Sequence, residues 1–112
     1  MLNLILASAS PRRIELLKLI NLDFEVMPAN INEESEGFND AGKYVMEMSK
    51  RKALYVAKKL KGKASEDTYV LGADTVVSID GIILGKPTDE NHAFRMLKLM
   101  ENRWHEVITG LT

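Results

Sequence analysis

From Tyr69 to Val77 the chain is a nearly continuous apolar run, interrupted by Gly72 and Asp74. Such a run marks a strand buried on both faces, so layers of helix or sheet must lie on each side of it. Asp80-Gly81 then separates Val76-Val77 from Ile82-Ile83-Leu84, a pairing that favours a type I′ hairpin. Asp74 conflicts with its surroundings. A desolvated carboxylate without a partner costs several kcal/mol, so this residue needs a counter-charge, a metal or a chemical role. The structural alternative is a carboxylate receiving backbone N–H bonds at a bulge after Gly72.

The remaining pattern supplies the covering layers. Leu2, Leu4, Ile5 and Leu6 form a short apolar run ending at Ser8-Ala9-Ser10, and Pro11 stands where a first helical residue would, with Ser10 as its N-cap. The helix is expected to reach Ile20, with Ile14, Leu16, Leu17 and Ile20 inward and Asn21 ending it. Leu22, Phe24 and Val26 alternate with Asp23 and Glu25, which predicts a half-buried strand closed by Pro28. Residues 29–40 turn acidic around Gly37, with Glu33, Glu34, Glu36 and Asp40, and read as a surface loop. A second helix is expected from near Asp40 to near Gly62, carrying Val45, Met48, Val56 and Leu60 on one stripe. Thr88 is the expected N-cap of a third helix, whose buried face repeats at Ala93, Met96, Leu97 and Met100. Residues 104–112 read as a last strand, inside which the chain stops. The order β, α, β, loop, α, β, β, α, β predicts one mixed-sheet α/β unit, incomplete at its C-terminus.

Composition excludes several functions. Over 112 residues, 15 Lys+Arg stand against 16 Asp+Glu, so no global field draws the chain to nucleic acid or an anionic membrane. Cysteine is absent, which removes disulfides and thiolate chemistry and fits a reducing cytosol. The histidines are His92 and His105. No run approaches the roughly 18 apolar residues of a membrane span, and no basic region precedes Leu2, so neither a membrane segment nor a signal peptide is expected.

Further residues break their local pattern. Ser8, Ser10, Arg12 and Arg13 surround a strand-to-helix turn where small residues, free helix N–H groups and two guanidiniums fit an anion site. A plain Ser-Pro cap followed by solvated arginines is the alternative, since cations are unfavourable in a first helical turn. The glycines and Gly-Lys-Ser/Thr ending of a Walker A loop are absent. Lys52 falls within about 40° of the apolar stripe on the second helix, so it must either snorkel or meet an anion. Lys86, between Gly85 and Pro87, leaves the hairpin on a rigid loop and could share a pocket with Asp74. Glu33 and Glu34 are solvated, or one completes a magnesium site with phosphate oxygens. Trp104 and His105 read as packing or rim residues, the methionines at 46, 48, 96 and 100 as core filler, and His92 as a residue without evident chemistry.

Taken in order, Leu-Ala-Ser-Ala-Ser-Pro-Arg-Arg at 6–13, Glu15-Leu16-Leu17, Lys52-Ala53, Gly72-Ala73-Asp74-Thr75 and Gly85-Lys86-Pro87 resemble the Maf family of nucleoside triphosphate pyrophosphatases. The resemblance covers the whole chain but only the N-terminal part of the family's domain. It implies an elongated α/β fold related to inosine triphosphate pyrophosphatases, with a nucleotide cleft between two lobes. It also implies hydrolysis of a nucleoside triphosphate to monophosphate and pyrophosphate.

Asp74 matches the family's proton acceptor. By the same resemblance, Arg12, Arg13, Lys52 and Lys86 balance the triphosphate, Ser8 and Ser10 contact it, and Glu33 belongs with Asp74 to a magnesium or manganese environment. Arg12 and Thr75 resemble the members that cleave dTTP and UTP, whereas the third specificity position, a glutamine, has no counterpart in the chain. A cytoplasmic homodimer and a connection to septum formation are further implications. The competing expectation is a non-catalytic nucleotide-binding fragment, or a division-associated regulatory protein, lacking the second lobe. An aspartyl-phosphate mechanism on Asp74 is disfavoured because Val76 stands where that class carries a second aspartate.

Overall fold

The computed structural model describes residues 3–34 and 37–112; Leu2 of the first apolar run and Glu36 of the acidic loop lie outside them. The expected mixed α/β architecture is present. A parallel sheet has β1 (Asn3–Leu6) at its centre, flanked by β2 (Glu25–Val26) and β3 (Thr68–Leu71). An antiparallel sheet has β4 (Ala73–Ile79) between β5 (Ile82–Leu84) and β6 (Glu106–Leu111). Three helices accompany them: α1 (Pro11–Leu19), α2 (Ala41–Leu60) and α3 (Glu90–Met100).

The run at 69–77 is therefore two strands in different sheets, where the sequence predicted one. Gly72 is the switch. A Cβ there would lie 2.2 Å from the Ser49 carbonyl oxygen and 2.9 Å from the Ala53 nitrogen, so only glycine lets the chain pass this close to α2. Gly110 on β6 meets the same helix, its hypothetical Cβ 2.5 Å from the Val45 oxygen. With both sheets pressed against it, α2 carries the core. Ala41, Tyr44, Val45 and Met48 pack with Val76 of β4, while Val56 packs with Ile5 and Ala7 at the end of β1. Lys52 lies on the helix between these two apolar clusters.

Local chemistry explains the element ends. Asp40 caps α2, its Oδ1 accepting from the Lys43 N–H at 3.0 Å, and Ser10 caps α1 with Pro11 in the first turn. Asp80 and Gly81 both have positive φ, 48° and 79°, as a type I′ turn requires. The third helix is capped by Asp89, one residue later than expected. Its Oδ1 accepts the His92 N–H at 2.7 Å, while the Thr88 N–H donates to His92 Nδ1 at 2.9 Å.

Other expectations are corrected. The strand predicted at 22–26 shrinks to Glu25 and Val26, the residues paired with Ile5 and Leu6, and both are exposed. Neither α1 nor α3 buries a residue fully: Ile14 and Leu17 are half-buried, while Leu16, Ile20 and Leu97 are exposed. Amphipathic spacing states that a face favours cover, and among the described residues little covers Leu16, Ile20 and Leu97. Of the four methionines at 46, 48, 96 and 100, Met48 is core, Met46 is exposed, and Met96 and Met100 are half-buried. Trp104 is 97% exposed and His105 is also exposed, so neither packs.

Candidate active site

Ligands of open parallel sheets settle beyond the carboxyl ends of the strands, where neighbouring connections leave in opposite directions. With strand order β2-β1-β3, that place lies beyond Leu6. A cavity of about 1120 Å³ opens there, and every candidate residue named from the sequence lines it. The β1–α1 turn contributes Ser8, Ser10, Arg12 and Arg13, the acidic loop Glu33, α2 Lys52, β4 Asp74 and Thr75, and the segment after β5 Lys86.

The centre is an ion triad. Lys52 and Asp74 are only 9% and 6% exposed, and Lys52 Nζ lies 2.9 Å from Asp74 Oδ1 and 2.6 Å from Glu33 Oε1. Lys52 therefore meets anions and does not snorkel. Asp74 takes its hydrogen bond from an ammonium, not from the backbone N–H groups of a bulge. Its second oxygen, Oδ2, is buried with no hydrogen-bond partner among the described residues. A carboxylate that is oriented on one oxygen and unpartnered on the other retains the lone pairs to receive a proton or bind a cation.

The turn after β1 is organised by its serines. Ser8 Oγ accepts the Ser10 N–H at 3.1 Å, and Ser10 Oγ accepts the Arg13 N–H at 3.4 Å. Each hydroxyl thus uses a lone pair on the loop and keeps its O–H free to donate outward. Arg13 Nη2 donates to Thr75 Oγ1 at 2.9 Å, and that oxygen lies 2.9 Å from Thr109 Oγ1 on β6. Arg12 is more exposed and lies 3.8 Å from Glu15. Lys86 is exposed at the rim.

Three lining or supporting residues escaped the sequence reading. Tyr44 lines the cavity and donates its phenol to the Glu33 carbonyl oxygen at 2.5 Å. Burial pushes the Tyr44 phenol above its usual range, and the Asp74 and Glu33 carboxylates push it further. Its signal was present in the sequence, because Tyr44 falls on the buried stripe of α2 and a buried phenol requires a partner. Thr109 reaches the site only through the β4–β6 register, which no local pattern reveals. His92, read as carrying no chemistry, also lines the cavity.

The residues fit a divalent metal only in part. Glu33 and Asp74 supply two carboxylates and Asp74 Oδ2 is unpartnered, but Lys52 stands between them. Among the described residues no group of three His, Cys, Asp or Glu could hold an ion. Such a donor set suits magnesium or manganese that completes its shell with phosphate oxygens, and does not make an all-protein cage.

The α/β cleft thus gathers the N-terminus of α1, the cations Arg12, Arg13, Lys52 and Lys86, and the carboxylates Glu33, Glu34 and Asp74, with Lys52 and Asp74 forming a buried pair. The family model described as Maf-like protein matches residues 3–112, and the chain belongs to that family. It is 45% identical over 111 residues to the dTTP/UTP pyrophosphatase of Caldicellulosiruptor bescii, covering 99% of this chain and 55% of that protein. It is 49% identical over 111 residues to the protein of the same name from Thermosipho africanus, covering 99% and 53% respectively. The chain thus spans about half the length of the curated relatives it matches. No helix among the described residues is long and apolar enough to cross a membrane.

Proposed function

We propose that the chain carries the phosphate-binding and proton-accepting half of a nucleoside triphosphate pyrophosphatase, which hydrolyses dTTP or UTP to the monophosphate and pyrophosphate. The observation that carries this reading is Asp74, a buried carboxylate fixed by Lys52 on one oxygen and unpartnered on the other, inside a cavity lined by cations. The relatives' names supply the pyrimidine triphosphates.

In this mechanism the triphosphate lies across the N-terminus of α1, between Arg12, Arg13 and Lys86, with the Ser8 and Ser10 hydroxyls donating to phosphate oxygens. Asp74 takes the proton of a water that attacks the α-phosphorus; the bond from that phosphorus to the α–β bridging oxygen breaks, and pyrophosphate leaves with that oxygen. A base positioned in this way contributes about 10²–10⁴-fold. Lys52 fixes the orientation of Asp74 and stabilises charge developing on the phosphate. Glu33 and Asp74 would hold magnesium or manganese together with the phosphates, and the metal would polarise the phosphoryl group. Arg13 donates to Thr75, which together with Arg12 is a position that family resemblance connects to the choice of dTTP and UTP.

The fragment reading, in which the chain binds nucleotide without turnover, is not favoured, because the charged set that the mechanism uses lies within this chain. Val76 is 3% exposed in the apolar core, which leaves no second carboxylate at that place for an aspartyl-phosphate route. A cytoplasmic location, a homodimer and a link to septum formation belong to the same proposal and rest on family resemblance.

The test is phosphorus NMR of the 112-residue chain with magnesium and dTTP. Monophosphate and pyrophosphate resonances are expected. Diphosphate with phosphate would point to a different reaction, shifted but uncleaved resonances to the fragment reading, and unshifted ones to the absence of a formed site.

A further inference from the structure

We infer that Tyr44 is a positioning residue, whose phenol holds the main chain at Glu33 and thereby seats the Glu33 carboxylate on Lys52. The inference rests on the proposed function for its catalytic consequence, but its structural part stands on geometry alone.

Residues 29–34 contain neither helix nor strand, so no ladder of backbone hydrogen bonds fixes where the Glu33 carboxylate lies. Ala29 packs against the apolar cluster of Ile5, Ala7 and Val56 at the start of this stretch, and two contacts hold it nearer Glu33. Ile31 packs against the apolar cluster on α2, and the Tyr44 hydroxyl donates to the Glu33 carbonyl oxygen at 2.5 Å. Tyr44 is itself closely packed. It is 4% exposed, stands edge-on to Phe38 with ring centroids 5.3 Å apart, and lies on a long helix two turns before Lys52.

The same helix therefore supplies both the ammonium and the hydroxyl that presents a carboxylate to it. Without the hydroxyl, the half-exposed Glu33 carboxylate is free to move into solvent, and Lys52 keeps Asp74 as its only anion among the described residues. The base is then held by a lysine whose charge is no longer shared.

The test follows Lys52 directly. Intact chain is pulsed with an amine-acetylating reagent and Lys52 is quantified by peptide mass spectrometry, with exposed Lys98 as internal reference. Tyr44→Phe is expected to speed Lys52 acetylation severalfold and leave Lys98 unchanged. Glu33→Gln should do the same, and the double variant should be no faster than either single one, because both remove one coupled interaction. Replacing Tyr44 with p-aminophenylalanine, which retains an N–H donor, should restore slow acetylation.

A wild-type Lys52 rate in Tyr44→Phe, or effects that add in the double variant, would overturn the inference. Should Tyr44→Phe not fold, Glu33→Gln still decides, since an unchanged Lys52 rate there removes the premise. In parallel, dTTP turnover should show kcat lowered about tenfold in Tyr44→Phe, the low end of losses when a supporting partner is removed, with KM little changed. If wild-type chain releases no pyrophosphate, the proposed function fails while the acetylation series still decides the role of Tyr44.

Discussion

Lys52 on α2 and Asp74 on β4 meet at 2.9 Å because the chain changes sheets between β3 and β4. Gly72, two residues before Asp74, is pressed against Ser49 and Ala53, the positions on α2 that flank Lys52 on one face. The backbone approach that only glycine permits is thus also the approach that brings carboxylate and ammonium together. Steric fit and charge pairing share one cause here, so stability and function are expected to respond jointly at this place.

Lys52→Met tests the pair through stability. The substitution leaves Asp74 buried without its counter-ion, and breaking a buried pair in this way costs about 3–5 kcal/mol. Urea unfolding at neutral pH should show a loss of that size, and turnover should vanish. A more stable variant with full turnover would mean that the ammonium had little to do with Asp74.

Asp74→Asn should behave differently. Asparagine keeps the volume and still offers Lys52 an oxygen, while Glu33 continues to pair with the ammonium at 2.6 Å. Nucleotide binding should survive, with turnover reduced by about 10²–10⁴-fold as expected for loss of a general base. Phosphorus NMR on the variant would show shifted but uncleaved dTTP. Equal loss of binding would identify Asp74 as a structural carboxylate.

Much of this arrangement is legible in the amino-acid sequence. Asp40, the stripe of α2 and Gly62 bounded a helix within two residues of the observed one, and Asp80-Gly81 announced its hairpin, because capping and left-handed turns are local chemistry. Asp74 and Lys52 stood out because each is charged within an apolar pattern. What the sequence concealed was tertiary. The division of the 69–77 run depends on how closely α2 approaches Gly72, and the position of Thr109 depends on strand register. The faces of α1 and α3 were overestimated because periodicity records a preference for burial and not the presence of a partner. Tyr44 was visible as a stripe residue, yet the main-chain oxygen it holds lies in an irregular loop that sequence does not place.

Gly72→Ala is the sharpest steric test. The added methyl would meet the Ser49 carbonyl oxygen at 2.2 Å and backbone and side-chain atoms of Ala53 near 3.0 Å, none of them the end of a flexible side chain. Overpacking typically costs 1–3 kcal/mol, and a backbone obstacle puts this case at about 3 kcal/mol or more. Urea unfolding should show that loss, accompanied by faster acetylation of Lys52 as α2 moves away from β4. A variant of wild-type stability would contradict the close approach.

The pH response of Tyr44 has a definite sign. Its phenol is held above its ordinary range, chiefly by burial and then by Asp74 and Glu33, so the folded state keeps the proton to higher pH than the unfolded chain does. An unfolded tyrosine titrates near about 10. Below that pH both states are protonated and this group contributes no pH dependence. Above it the unfolded state releases its proton first, so it binds fewer protons than the folded state and stability falls as pH rises. Urea midpoints measured between neutral pH and strongly alkaline pH, with a chelator present, should therefore decline more steeply for wild-type than for Tyr44→Phe. Other tyrosines contribute equally to both proteins and cancel. Parallel declines would mean that the phenol is not buried against the two carboxylates.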